Sequence, residues 1–206
     1  MKKLLFFIVV FVTYSYATDF VLNTGGLLDK RAYQKINEIG NEVKNKIGIN
    51  VYLDVKGNNG IKLTLPRKER IKQMKILENK LISHLKKPYV VLTLALDQQY
   101  ANILYSKDLS SVIDKDDILD GYVIPLLAAK DKNTLSSKVS AAVLNGYAQI
   151  GDVLADTKHI KLKSSIGSQG KIAGTIWKMF MYTLVLFGIG AYVIVILRER
   201  KMKNGN

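Results

Sequence analysis

Four aspartates crowd one short stretch of this chain, at Asp114, Asp116, Asp117 and Asp120, and two more, Asp54 and Asp97, lie further upstream. Hard cations such as Ca²⁺ take several carboxylate and carbonyl oxygens, and a loop that opens into a helix is one way to supply them. Asp54 and Asp97 fall near the ends of two expected strands, at the edge of an open α/β sheet where ligands usually bind. If those strands run parallel, their carboxylates converge on the acidic loop, and Asp54, Asp97, Asp114 and Asp117 become a candidate Ca²⁺ set. The competing reading is ordinary helix physics. Aspartates at a helix N-terminus accept from free N–H groups and favour the dipole, by about 0.3–1 kcal/mol each. No D-x-D-x-D-G loop ending in Glu is present, so the set is not an EF-hand. Capping is the default reading, and nothing in the set marks a catalytic group.

Other chemistries have less to stand on. The chain has no cysteine, which removes disulfides, thiolate metal sites and thiol nucleophiles together. His84 and His159 are both solitary, with no partner at zinc-binding spacing. There is no Gly-x-Ser-x-Gly elbow. The stretch Gly167-Ser168-Gln169-Gly170-Lys171 has the wrong spacing for a phosphate loop and is followed by Ile172.

The two ends speak to location. Lys2 and Lys3 precede a nine-residue apolar run over 4–12, and Ser15-Tyr16-Ala17 offers small side chains where a leader protease cuts. These are the parts of a secretory signal peptide, removed after Ala17. Nine helical residues rise only about 14 Å, short of a bilayer core of about 30 Å. Near the other end, residues 179–197 carry no charge and are long enough to span as a helix. Trp177 stands where an interfacial aromatic belongs, and Arg198, Arg200, Lys201 and Lys203 follow at once. Basic flanks stay cytoplasmic, so both ends agree on one topology. The expected organisation is a leader (1–17), a folded domain (18–163), a Gly/Ser tether (164–175), a transmembrane helix (176–197) and a basic cytoplasmic tail (198–206). The expected location is the bacterial inner membrane, single-pass, with the domain in the periplasm.

The net charge is +14, from 31 basic and 17 acidic residues. With the leader and everything from Lys178 onward set aside, residues 18–175 keep 24 basic and 16 acidic side chains, a balance of +8. An exported domain seldom meets nucleic acid, and lysine outnumbers arginine 26 to 5, unlike a site built for bidentate phosphate contacts. A solvated basic surface is the plain reading of the balance, and attraction to anionic lipid headgroups is the functional one.

The elements that must position these groups read as one α/β domain. Ile36, Ile39, Val43 and Ile47 form a helical stripe over 30–46, with Asp29 as N-cap and Gly48 as terminator. Residues 49–55 alternate as a strand. A short edge strand is expected over 61–65. A helix follows over 67–87, with Ile71, Met74, Leu77, Leu81 and Leu85 on its apolar face. The unbroken apolar run 89–96 is expected as a central strand, and 101–105 as its antiparallel return. A third helix is expected over 116–129, with Pro125 inside it, and a fourth over 134–156. In that last helix Gly146 costs about 1 kcal/mol against Ala and implies a close neighbour. The expected fold is a three-layer α/β sandwich, a small mixed sheet between helices, plus one C-terminal transmembrane helix.

This order of elements resembles the TPM-domain family, which includes the photosystem II repair proteins of thylakoids and many bacterial exported proteins anchored at their C-termini. The resemblance is carried by Gly26-Leu27-Leu28 with the helix up to Gly48, and by Ile49-Asn50-Val51-Tyr52-Leu53-Asp54-Val55. Further on it rests on residues 90–97 and on Asp114 through Ile124-Pro125-Leu126-Leu127 ahead of the long helix. It covers most of residues 20–157. The family's Asn-Gly before the central strand is here Lys87-Pro88-Tyr89, and its Gly-Tyr-Gly after the return strand is Tyr105-Ser106-Lys107. The resemblance implies a membrane-anchored binding module that assists assembly, repair or maintenance of membrane protein complexes, with another membrane or periplasmic protein as partner. It also implies cation binding at acidic positions, and an acid phosphatase-like, cation-dependent phosphohydrolase as the alternative activity.

Overall fold

In a computed structural model of the chain, residues 19–167, 182–190 and 192 are described. The sheet has four strands: β1 (Val21–Asn23), β2 (Asn50–Lys56), β3 (Tyr89–Ala95) and β4 (Tyr100–Tyr105). They lie in the order β1-β2-β3-β4. β1, β2 and β3 run parallel and β4 returns antiparallel to β3, so the sheet is mixed and the fold is α/β. β3 is buried along its whole length, as its sequence, apolar but for Thr93, suits a strand with neighbours on both sides.

Helices α1 (Lys30–Ile47) and α5 (Leu135–Asp156) pack on each other and on one face of the sheet. Asp29 caps α1 by accepting from the Ala32 amide at 2.8 Å. That amide holds the carboxyl below its usual range, and Gly48, at φ 82°, ends the helix in the left-handed region. Ile36, Ile39 and Val43 are fully buried. Two glycines set how closely this layer packs. A Cβ on Gly40 would lie 2.5 Å from the Tyr147 hydroxyl and 2.6 Å from the Phe20 ring. A Cβ on Gly146 would lie 2.4 Å from Val123 and 3.3 Å from Leu92, which supplies the close neighbour its sequence position implies. The buried Tyr147 hydroxyl donates to the Val51 carbonyl at 2.6 Å, tying α5 to the sheet.

Three expectations change. Residues 61–65 form turns rather than a strand, because Gly60 sits at φ 84° and the Leu65 amide bonds back to the Lys62 carbonyl at 3.2 Å. The fourth strand is instead β1, too short to show alternation. Helix α2 (Arg67–Ile82) stops before residue 87 and contains no buried residue. Its expected apolar face is only partly covered, with Ile71 and Leu77 exposed. The expected helix around Pro125 divides into α3 (Lys115–Ile118), a π-helical turn (Leu119–Val123) and α4 (Ile124–Ala128). Proline lacks an N–H and its ring crowds the carbonyl four residues back, so a regular α-ladder cannot pass through it.

Past α5 the chain folds back onto the body. Leu162 is buried, and the Glu42 carboxylate accepts from the Lys163 amide at 2.9 Å and the Ser164 amide at 2.7 Å. Ser165 Oγ donates to Asp152 at 2.9 Å and Ile166 packs against the core, so the body runs through residue 166, beyond the expected boundary at 163. The expected leader and basic tail, and most of the tether and span, lie outside the described residues. Residues 182–190 are helical with exposed side chains. Among the described residues no helix is long and apolar enough to cross a membrane.

Candidate functional site

Strand alternation divides the sheet's side chains. Leu53 and Leu92 are paired neighbours, and Leu92 lies beside Gly146 on α5. Asp54, Thr93 and Asn102, with Lys56, Ala95 and Tyr100, are paired across β2, β3 and β4 and point to the opposite face. There Glu78 of α2 accepts from the Tyr100 hydroxyl and, at 2.7 Å, from Asn102 Nδ2. Burial and the neighbouring Glu78 carboxylate both raise the Tyr100 hydroxyl pKa, so it remains a donor. Between this helix and the sheet, Lys56, Met74, Leu77, Thr93 and Tyr100 line a narrow cleft.

Of the four aspartates in the candidate cation set, Asp54 is almost fully buried on β2. Its Oδ2 lies 2.8 Å from Lys56 Nζ, an ion pair without hydrogen-bond alignment. Asp97 sits in the turn after β3 and accepts from Asn58 Nδ2 at 2.7 Å. Asp114 is the N-cap of α3, its Oδ1 accepting from the amides of Asp116 and Asp117 at 3.1 Å each. Asp117 belongs to the first turn that Asp114 caps. β2 and β3 are parallel, as convergence of Asp54 and Asp97 requires, yet the two carboxylates take up separate duties. Asp54 pairs with a lysine two positions on, while Asp97 fastens a loop. Among the described residues no group of three or more His, Asp or Glu side chains is arranged to hold a metal ion.

Two features escaped the sequence. The first is a clip at the C-terminal edge of the parallel strands. Gln98 donates to Asn58 Oδ1 at 3.2 Å and to the Ile61 carbonyl at 3.0 Å, and accepts from the Asn59 amide at 3.2 Å. With Asp97 it holds loop 57–64 against the β3–β4 turn and shapes an open cleft of about 580 Å³. The amide-rich Asn58-Asn59 and Gln98-Gln99 pairs were the available signal. The second is an apolar cleft of about 560 Å³ between the β3–β4 hairpin and α4, lined by Leu94, Leu96, Tyr100, Ile124 and Leu127. Ile124, beside Pro125, is 44% exposed there. The only sequence hint was the apolar run Ile124-Pro125-Leu126-Leu127. The first cleft is lined largely by polar side chains, among them Asn58, Lys62, Asp97 and Gln98, whereas the second is mainly apolar.

The structure is a small α/β domain with two open clefts at one end of its sheet. A scan against protein-family models finds no match, and a search of curated proteins finds none either. Among solved structures, the chain is similar to the solution NMR structure of the N-terminal domain of a protein from P. gingivalis. The TM-score is 0.53 at 15% identity, covering 72% of this chain and 90% of that one. It also matches the NMR structure of BA42 from the psychrophilic bacterium Bizionia argentinensis, with TM-score 0.42 at 15% identity, over 68% of this chain and 93% of that one. The first likeness places the α/β fold among known bacterial domains.

Proposed function

We propose that the chain is a TPM-like binding module, exported by its leader and anchored in the bacterial inner membrane by the span at 176–197. The α/β body then stands in the periplasm, and the basic tail in the cytoplasm. Its task is to hold another membrane or periplasmic protein and assist assembly, repair or maintenance of a membrane complex. The TPM-like order of elements and the charge-free run at 179–197 motivate the family and the address. The observation that carries the binding role is the apolar cleft beside α4, with Ile124 and Leu127 on its wall. An apolar side chain of a client protein suits such a groove.

The test is affinity capture of the tagged full chain from detergent-solubilised membranes. One stable protein complex is expected with the native chain, and its loss with Leu127→Asp while the thermal melt stays cooperative. Recovery of the chain alone after mild crosslinking overturns the reading. Protease added to spheroplasts checks the address: the body is expected to be cut and the extreme C-terminus spared.

A further inference from the structure

The net charge of the folded body is gathered on α2 and its two flanks. Residues 62–87, which hold α2 and its flanks, carry nine basic and two acidic side chains. That +7 is nearly the whole +8 of residues 18–175, so the remainder is close to neutral. At about 100° per residue, Lys68, Ile71, Lys72, Lys75, Ile76 and Asn79 share one outward stripe of α2, and all six are exposed. Ile71 is 48% and Ile76 57% exposed. Among the described residues, none of the three lysines of this stripe forms an ion pair.

We propose that this outer stripe of α2 docks on an anionic lipid surface. The proposal rests on the membrane-anchored reading above and names the element that meets the bilayer. Two chemistries coincide on the stripe. Lysines attract anionic headgroups, and their stems let the ammonium groups reach outward while aliphatic neighbours enter the headgroup boundary. An acidic protein surface would use the lysines but leave both isoleucines facing charge. Position agrees with charge. The Lys86 carbonyl, just past α2, accepts from Asn50 Nδ2 at 3.0 Å at the start of β2. Asn50 also accepts from Lys44 of α1, half a turn from Glu42, where Lys163 and Ser164 are held. The C-terminal end of α2 and the exit of the chain therefore share one end of the sheet.

The absence of cysteine allows a single reporter position. The full chain carrying Ile76→Cys, labelled with an environment-sensitive fluorophore, is placed in nanodiscs of phosphatidylcholine with or without phosphatidylglycerol. A blue shift is expected in the anionic discs only. It should reverse in about 1 M salt, where the Debye length is about 3 Å. Glu38→Cys on α1, on the opposite side of the sheet, should stay unshifted. At roughly fivefold per lysine, Lys68→Gln, Lys72→Gln and Lys75→Gln together should weaken docking on the order of 100-fold. An unshifted probe in both kinds of disc, an equal shift in neutral discs, or crosslinking of position 76 to a protein in native membranes each overturns the proposal and leaves the anchored reading standing. A chain that does not remain with the discs overturns both.

Discussion

The two faces of the sheet are covered in opposite ways. On one, α1 and α5 meet through Gly40, Gly146 and a fully buried Tyr147, leaving no room for another carbon. On the other, α2 buries none of its residues and is held by Glu78, whose carboxylate takes two donors from β4. Close apolar packing makes the first face the source of stability. Leu81 and Ile82 at the C-terminal end of α2 pack against the core without being fully buried, and a helix with so little buried surface can be lost locally without loss of the core. The division of labour follows: one face specifies the fold, and the other presents a surface.

The largest test of that contrast is Gly40→Ala. The added methyl meets both Tyr147 and Phe20, and the expected cost is about 1–3 kcal/mol, read as a lower thermal midpoint of the whole body. An unchanged midpoint would mean that the α1–α5 contact is looser than the geometry shows. Glu78→Ala should cost about 1–2 kcal/mol locally. Amide exchange within α2 should quicken while exchange within α5 stays slow. Equal acceleration in both helices would erase the distinction between the faces.

A third test uses pH. Burial alone would raise Glu42, but donors from Lys46, Ser164 and the Lys163 amide outweigh it and bring the carboxyl down to about 2. The folded value lies below the ordinary 4.5, so its stabilisation is present above that pH and is lost as pH falls toward about 2. Glu42→Gln should therefore melt lower than the native chain at neutral pH, with the gap closing through that acid window. Asp114→Ala should cost about 1 kcal/mol by removing a cap, whereas Asp114→Asn should stay within a few tenths. The smallest effect is expected from Ile71→Ser with Ile76→Ser, within about 0.5 kcal/mol of native stability in detergent. A large loss there would show that the outer stripe of α2 is structural.

Much of the first face could be read from residue order. The stripe Ile36-Ile39-Val43, the Asp29 cap, the Gly48 stop and the buried run of β3 each follow from local chemistry. The second face was harder, because the same apolar spacing at Ile71 and Leu77 serves a covered helix or a half-covered one. Only the partners decide between those, and Glu78 meets Tyr100 and Asn102 across a separation that periodicity does not see. β1 was hidden because three residues carry no period. Pro125 signalled an interruption but not that a π turn would absorb it. The aspartates show the same limit: residue type suggested a shared ligand, while pairing gave each carboxylate its own local role.

The clasp at Glu42 also determines how the body would meet a mechanical load. Tension entering from the Gly167 side reaches the Ile166 contact and the Ser165–Asp152 bond first, and then the bonds from Ser164 and Lys163 to α1. Only after those yield does it arrive at Leu162 and the packed interior. Jostling of the tail would thus be spent on a peripheral seam that can open and reseal, while the strands stay in register.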